Sequence, residues 1–335
     1  MTERREPGTP ASSEGGLSAP AAKLPRAGEG TERREPGTPA SEPSVVALGG
    51  GHGLAAALRA VRRYTSSITA IVSVADDGGS SGRLRRALGV LPPGDLRRCL
   101  VALADDPGWA SAFEYRFTAG DLEGHALGNL VLVGLTETTG DFTAALDAAG
   151  RLLGIVGRVL PATTEPVVLK AEIGEPNAGS REIEGQVAIE NSRDIRRVDL
   201  VPADVAAPAA ALDALARADQ VVLAPGSLYT SLLPVLCVQG VRDAITASSG
   251  RVVQVANLRQ QLPETAGLDG TDHLRAVLAH GARVDTFLYA DDGTLAVSPD
   301  AVRALGVEAV SARLARSHGL AHDPERLASA LQALL

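Results

Sequence analysis

The stretch that most constrains the fold is a glycine-rich turn between an apolar run and a helical pattern. The run VVAL at residues 45–48 ends at GGGHG at 49–53, and residues 54–63 (LAAALRAVRR) carry apolar side chains at helical spacing. Glycines let the backbone take positive φ and approach a ligand closely, and the first N–H groups of a helix suit a phosphate. This order predicts an α/β fold with a ligand site at the carboxyl end of a strand.

A second apolar run, residues 68–74, ends in the acidic sequence DDGGSSG at 76–82. Such runs are typical of buried parallel strands, and open α/β sheets bind ligands beyond the carboxyl ends of their strands. Residues 51–56 also match the dinucleotide fingerprint, with Asp76 near the usual ribose-binding distance. A tight turn alone also explains the glycines. For the acidic loop we predict a ligand or metal role.

Composition excludes several classes of partner. Of the 335 residues, 45% are hydrophobic, which suffices for a sizeable core, and the net charge of −8 argues against nucleic acid and anionic membranes. No apolar run reaches transmembrane length, and the charged, proline-rich start does not resemble a signal peptide. The chain is therefore expected to be cytoplasmic, without membrane insertion.

The cysteines and a histidine pair do not predict a metal site. Cys99 and Cys237 are far apart and form no paired motif, which is typical of reduced thiols in the cytosol. His318 and His322 are four residues apart, but Gly319 lies between them and no third ligand follows.

Two changes in the composition and pattern of the sequence divide the chain. Residues 1–43 are low-complexity and contain one segment twice, at 2–12 and 31–41, with almost no apolar residues, which predicts a disordered tail. Residues 44–335 form the predicted folded domain. Within it, short β-type runs at 167–173, 183–190 and 195–200 predict an antiparallel insertion over about 156–200.

Polar residues at two later helix starts are candidates for the same site. Asp95 is placed to cap a helix that runs to about residue 104, and Arg97 and Arg98 either face an anionic ligand or form a solvated helix start. His125 and Asn129 are four residues apart, which predicts a pair on one helix face that lines the site.

A second loop of small residues, PGSLYTS at 225–231, follows a predicted strand and leads into a helix. It is either a second anion contact or a helix cap without a ligand. Because the carboxyl ends of parallel strands meet at one edge of a sheet, this loop and the loop at 49–53 predict a joint diphosphate site.

Long motifs occur in a recognisable order from residue 44 onward: GGGHGL, ITAIVSVADDGGSSGRLR, PPGDLRR, GHALGNL, TGDF, GRVLPAT and APGSLYTSLLP, followed by the segment at Asn257. The chain closely resembles the YvcK-like family of gluconeogenesis factors, within the wider CofD-like superfamily. The resemblance implies a three-layer, Rossmann-like, mostly parallel α/β sheet. It also implies a cytoplasmic regulator that binds a UDP-sugar such as UDP-N-acetylglucosamine and acts in growth on gluconeogenic carbon, cell shape and wall synthesis.

Two enzymatic alternatives stay open. The enzyme branch of the superfamily, the 2-phospholactate transferases of coenzyme F420 synthesis, implies Mg²⁺, which Asp76 or Asp77 would hold. An NAD(P)-dependent dehydrogenase would need a hydride-site acid or base and a substrate clamp, and neither stands out. The long form DDGGSSGRLRR resembles the binding branch, so we expect a regulator with a cell-wall or signalling protein as partner; a homo-oligomer is left open.

The motifs supply the predicted ligand contacts. These are Gly49, Gly50, Gly51, His52, Gly53, Asp76, Asp77, Gly78, Gly79, Ser80, Ser81, Arg83, His125, Asn129, Gly226, Ser227, Leu228, Thr230 and Asn257. The chain departs from the family pattern twice. His52 stands where many members have Thr, and residues 261–265 read Gln-Leu-Pro-Glu-Thr where the family has Gln-Pro-Gly-Glu-Thr.

Overall fold

A computed structural model describes residues 42–175 and 179–335. The strands in these ranges are β1 Val45–Gly49, β2 Ile68–Val72, β3 Arg158–Pro161, β4 Val168–Glu175, β5 Gly179–Glu184, β6 Ile195–Val201, β7 Gln220–Leu223, β8 Arg251–Val255, β9 Thr286–Ala290 and β10 Glu308–Ala312. The α-helices are α1 Gly51–Val61, α2 Gly79–Leu88, α3 Gly94–Leu103, α4 Pro107–Glu114, α5 Leu127–Thr139, α6 Phe142–Leu153, α7 Gln186–Glu190, α8 Ala209–Ala216, α9 Leu233–Cys237, α10 Gln239–Ala247, α11 Gly270–Ala279, α12 Pro299–Ala304 and α13 Pro324–Gln332. A π-helical turn, Leu228–Leu232, precedes α9.

A seven-stranded sheet in the order β10-β9-β8-β7-β1-β2-β3 forms the frame. Every neighbouring pair in it is parallel. Strand β1, an interior strand of this sheet, is fully buried, as its apolar sequence predicts. From β1 the chain adds β2 and β3 on one side, then returns to β7 and builds outward on the other. The switch point between β1 and β7 is where such sheets bind ligands.

The predicted antiparallel insertion exists as a three-stranded sheet in the order β5-β4-β6. A mostly parallel α/β sheet with a small antiparallel insertion is therefore confirmed. The predicted start at residue 156 is wrong, because β3 pairs in parallel with β2 in the main sheet. The β-type run predicted at 183–190 is wrong in its second half. Gly185 turns the chain at a φ of 97°, and α7 follows it.

The predicted cap at Asp95 is also wrong. Helix α3 begins at Gly94, with Pro93 at the N-cap, so Asp95 lies inside the first turn. Its carboxylate instead accepts a hydrogen bond from the Gly51 N–H at 2.7 Å, at the start of α1. The side chain that the sequence predicts as a local cap therefore connects the starts of two helices that are distant in sequence.

The predicted tail covers residues 1–43, and residues 1–41 of it lie outside the described residues. The chain from Glu42 onward forms one compact unit. The Glu42 carboxylate accepts from the Ser66 N–H at 2.9 Å, and the Pro43 carbonyl accepts from the Thr65 hydroxyl at 2.6 Å. Residues 42 and 43 therefore contact the folded domain. In the described part of the chain, no helix combines the length and the apolar character that a membrane crossing needs.

These contacts define where a truncation becomes harmful. A chain that begins at Glu42 is expected to keep the melting temperature of the full chain, since residues 1–41 cannot bury a core. A chain that begins at Ser44 also loses the contacts to Thr65 and Ser66 and should melt a few degrees lower. Differential scanning calorimetry of the three proteins checks this, and a lower melting temperature for the Glu42 chain would contradict it.

Candidate functional site

The loops after β1, β2 and β7 enclose a cavity of about 500 Å³ at the carboxyl edge of the sheet. Its lining combines glycines, hydroxyls, carboxylates and guanidinium groups. The lining residues are Gly50, Gly51, His52, Gly53, Ser73, Asp76, Gly78, Gly79, Ser80, Ser81, Gly94, Asp95, Arg97, Arg98, Arg116, Asn129, Gln186, Val187, Glu190, Gly226, Ser227, Thr230, Ser231 and Gln261.

Glycines are required where the loops after β1 and β7 touch. A Cβ atom at Gly53 would lie 1.9 Å from the Pro225 carbonyl oxygen and 2.7 Å from the Gly226 Cα. Gly51 adopts a φ of +60°, in the left-handed region that favours glycine. The glycine turn therefore brings two neighbouring loops into backbone contact at the switch point.

One of the free N–H groups in the first turn of α1 is already bound by a side chain of the protein. Asp95 Oδ2 accepts from the Gly51 N–H, and Asp95 Oδ1 accepts from Arg98 Nη1 at 2.6 Å. The N–H groups of His52 and Gly53 follow in the same first turn, where a helix supplies no acceptor of its own. These two residues line the cavity, so the end of α1 still offers donors to a ligand.

The second glycine loop differs from the prediction. Glu264 Oε1 accepts from the N–H groups of Tyr229 and Thr230 at 2.8 and 3.0 Å, so a carboxylate of the protein occupies the predicted anion contact. Glu264 is 3% exposed, and burial raises its pKa to about 7. Asn257 holds this loop in place, because its amide accepts from the Gly226 N–H at 2.7 Å and donates to the Gly226 carbonyl at 2.8 Å.

Helix α2 begins at Gly79 without a side-chain cap and without an acidic residue in its first turn. Ser80, in that turn, contacts His125 Nδ1 and Asn129 Nδ2 through its hydroxyl, both at 3.0 Å. His125 precedes α5, whose N-cap is Ala126, so the predicted shared helix face is wrong even though both side chains reach one hydroxyl. Unlike the starts of α1 and of the π-helical turn, the start of α2 has no carboxylate of the described residues bound to its N–H groups. It is therefore the helix N-terminus most available to an anion in the cavity.

Charges of both signs face the cavity. Burial and the neighbouring Asp95 raise the pKa of Asp76, while Arg97, Arg98 and Arg116 supply positive charge. The Arg97 side chain is 2% exposed and is held by the Phe113 carbonyl at 3.2 Å and by the Glu114 carboxylate at 2.8 Å. A buried, fixed guanidinium of this kind suits a ligand with phosphate or carboxylate groups.

The predicted acidic pair does not lie together in the cavity. Asp76 lines it, whereas Asp77 Oδ1 accepts from the Val187 N–H at 3.0 Å, at the start of α7. The carboxylates that line the cavity are those of Asp76, Asp95 and Glu190. In the ranges that the structure covers, no group of three His, Cys, Asp or Glu side chains could hold a metal ion by itself.

The structure brings most predicted residues to one place, although their contacts with a ligand stay a prediction. The predicted residues that line the cavity are Gly50, Gly51, His52, Gly53, Asp76, Gly78, Gly79, Ser80, Ser81, Asn129, Gly226, Ser227 and Thr230. Those that do not line it are Gly49, Asp77, Arg83, His125, Leu228 and Asn257. His125 and Asn257 support lining residues, Arg83 donates to the Glu123 carbonyl at 2.5 Å, and Leu228 is buried in the core.

Sequence reasoning left some lining residues open and missed others. Arg97 and Arg98 fitted either an anionic ligand or a solvated helix start, and they line the cavity, as does Asp95, which was assigned only to a cap. Gln186, Val187 and Glu190 come from α7, inside the segment predicted as β-type. Gln261 follows the loop at Asn257, where no local pattern indicated a contact with Ser227 at 3.1 Å.

Comparisons with known proteins agree with this architecture. A family model described as 2-phospho-L-lactate transferase CofD matches residues 45–322. A gluconeogenesis factor from Listeria innocua is 36% identical over 313 residues, which cover 88% of this chain and 96% of the relative. A relative from Nostoc sp. is 47% identical over 238 residues, 70% of this chain, and the match spans 51% of its length.

A crystal structure of a UPF0052-family protein from Bacillus halodurans has the same fold. It superposes with a TM-score of 0.82 at 37% identity and covers 87% of this chain and 99% of the other. The match of the family model extends from β1 to His322 and so includes all the strands and loops that enclose the cavity. The chain therefore belongs to the CofD family and, within it, to the YvcK-like gluconeogenesis factors.

Proposed function

We propose that this protein is a cytoplasmic regulator that binds a UDP-sugar, such as UDP-N-acetylglucosamine, in the cavity at the switch point. One observation carries the proposal: three loops that follow neighbouring strands converge on a single cavity of about 500 Å³ that offers helix N-termini and guanidinium groups. Helix N-terminal amides and arginines are the groups that proteins use for phosphates.

The diphosphate has a specific place in this proposal. The first turn of α2 offers N–H groups without a competing side-chain cap, and the first turn of α1 offers those of His52 and Gly53. Arg97 and Arg116 line the same cavity. The start of the π-helical turn is not part of this subsite, because Glu264 already occupies it.

An unpaired acceptor supports a sugar in the same cavity. Asn129 is 1% exposed, and its Oδ1 has no hydrogen-bond partner among the described residues. Its Nδ2 already donates to Ser80, so the free atom is an acceptor. A buried acceptor without a partner is costly, and a sugar hydroxyl would satisfy it.

The biological part of the proposal follows from the family. The relatives' name, gluconeogenesis factor, supports a role in growth on gluconeogenic carbon sources. We extend it to cell shape and wall synthesis, through a protein partner that responds to the bound state. A transferase of the 2-phospholactate type is the second candidate, favoured by the match to the CofD family model.

Mg²⁺ fits the cavity in one arrangement. Asp76 presents its carboxylate to the cavity, and Mg²⁺ is commonly held by one or two carboxylates together with phosphate oxygens and water. Bound there, the ion would offset the repulsion between Asp76 and the diphosphate. Asp95 would not take part, because the Gly51 N–H and Arg98 bind its two carboxylate oxygens. Asp77 does not line the cavity, and its Oδ1 is bound to the backbone at Val187.

A matched pair of variants tests the site. With Mg²⁺ present, Asp76→Asn is expected to weaken the binding of UDP-N-acetylglucosamine about tenfold or more, because a metal ligand is lost. Without Mg²⁺ the same variant should bind as well as the wild type or better, since one negative charge facing the phosphates is gone. Asp77→Asn should bind like the wild type under both conditions, and isothermal titration calorimetry measures all three proteins.

The same titrations decide between the candidates. Absence of UDP-sugar binding with and without Mg²⁺ would contradict the proposed function. Equal effects of Asp76→Asn and Asp77→Asn would move the metal away from the cavity. Turnover of a bound UDP-sugar or of a 2-phospholactyl donor, followed by mass spectrometry, would favour the transferase.

A further inference from the structure

A smaller cavity of about 260 Å³ adjoins the larger one. The two cavities share His52, Gly53, Gly226 and Gln261, so they meet where the two glycine loops touch. Beyond these residues the smaller cavity has a largely apolar lining that includes Ala56, Pro225, Leu258 and Leu320. A ligand with its phosphates at the glycine loops would therefore extend into a polar cavity on one side and a more apolar one on the other.

One polar side chain in the smaller cavity lacks a partner. His322 lines it and is 7% exposed, and its Nε2 makes no hydrogen bond to any residue that the structure describes. The backbone holds it firmly, since His322 pairs with Ala315 in an antiparallel bridge and the Asp323 N–H donates to the Leu314 carbonyl at 2.7 Å. An unpaired nitrogen on a fixed, buried ring indicates a missing partner.

The protonation state of His322 fixes the kind of partner. Burial lowers its pKa to about 4, so the ring is neutral at pH 7. Its hydrogen bond to the Ala256 backbone raises the pKa, as expected when a ring N–H donates to a carbonyl. With that N–H on Nδ1, Nε2 carries the lone pair and acts as an acceptor.

A donor lines the same cavity. The Arg259 side chain is exposed there, and a guanidinium group donates hydrogen bonds but never accepts them. An acceptor together with a donor complements a ring that carries an N–H next to a carbonyl group. Uracil presents this edge at N3–H and its flanking carbonyls, whereas cytosine and adenine place an unprotonated ring nitrogen there, which would face the Nε2 lone pair.

We propose that the smaller cavity binds the nucleobase of the ligand and that His322 Nε2 accepts a hydrogen bond from the N3–H of uracil. This inference rests on the proposed function and makes it specific. His322 becomes a residue that selects uridine over cytidine and adenosine nucleotides, while the glycine loops and the larger cavity bind the diphosphate and the sugar.

The test compares UDP with N3-methyl-UDP, which differs only at the atom that would contact His322. Calorimetry of the full chain should show N3-methyl-UDP and CDP binding about tenfold or more weakly than UDP. His322→Phe keeps a ring but removes the acceptor, so its affinity for UDP should fall about fivefold to tenfold. In this variant the difference between UDP and N3-methyl-UDP should nearly disappear.

His273 supplies the matched control. It is also buried, its pKa is also lowered to about 4, and its Nε2 also lacks a partner within the described ranges, but it lines neither cavity. His273→Phe should keep the full preference for UDP over N3-methyl-UDP. His322→Gln, whose amide oxygen can accept, should keep part of it and serves as the test if His322→Phe does not fold.

The outcomes separate this inference from the proposed function. Equal binding of UDP and N3-methyl-UDP by the wild type, or an undiminished preference in both His322 variants, would overturn the role of His322 while UDP-sugar binding stands. A wild-type protein that binds neither UDP nor a UDP-sugar would overturn both.

Discussion

Replacement of Gly53 by alanine is expected to lower the free energy of unfolding by about 3 kcal/mol or more and to abolish UDP-sugar binding. The added Cβ would lie 1.9 Å from the Pro225 oxygen and 2.5 Å from the Pro225 carbonyl carbon. These are backbone atoms, so relief requires the loops after β1 and β7 to separate. That separation would open the contact at which the two cavities meet.

Gly51 is the matched control for this prediction. Its φ of +60° also disfavours alanine, but the nearest atom to an added Cβ is Ser231 Oγ at 3.8 Å. Gly51→Ala should therefore cost about 1–2 kcal/mol, from backbone strain alone. Urea unfolding of both variants measures the difference. If Gly53→Ala were no less stable than Gly51→Ala, close contact between the glycine loops would not be the reason for Gly53.

The parts of the site that could be predicted from the sequence are local. The run at β1, the glycines after it and the helical spacing of α1 lie within a few residues of one another, and each limits the conformation of the next. The convergence of the loops at 49–53 and 225–231 was also predictable, because it follows from two strands being parallel neighbours. The structure places these strands side by side, as β1 and β7.

The parts that could not be predicted depend on contacts between distant residues. Asp95 reaches Gly51 across 44 positions, and Glu264 reaches Tyr229 across 35. Asp77 contacts Val187 across 110 positions, which removes it from the cavity that its neighbour Asp76 lines. Each contact joins a carboxylate to a backbone N–H that is distant in sequence, so no local pattern reveals it. Only the tertiary packing decides whether it faces a ligand or the protein's own backbone.

Glu264 shows what such an internal contact does to stability. Its pKa is raised from 4.5 to about 7 by burial, so the folded state holds a proton that the unfolded state releases between these values. The contribution of Glu264 to the free energy of unfolding is fully present below pH 4.5 and is lost as the pH rises to 7. The loss amounts to about 3 kcal/mol. His273 and His322, with pKa values lowered to about 4, act in the opposite sense and lose their contribution as the pH falls from 6.5.

Glu264→Gln is therefore expected to be as stable as the wild type near pH 4.5 and up to about 3 kcal/mol more stable at pH 8. The amide oxygen can still accept from the Tyr229 and Thr230 N–H groups, while the cost of burying a charge is gone. Urea unfolding at pH 4.5, 6 and 8 measures the difference, and the histidine contributions cancel because both proteins carry them.

An exposed glutamate provides the control for Glu264→Gln. Glu165 Oε1 also accepts from a backbone N–H, that of Ala206 at 2.7 Å, but its side chain is open to solvent. Glu165→Gln relieves no cost of burial and should therefore not become more stable than the wild type at pH 8. If Glu264→Gln were no more stable than the wild type at pH 8, the two N–H donors would stabilise the wild-type carboxylate as much as burial destabilises it. The start of the π-helical turn would then be a true anion site filled by the protein itself, rather than a place where burial keeps an acid protonated.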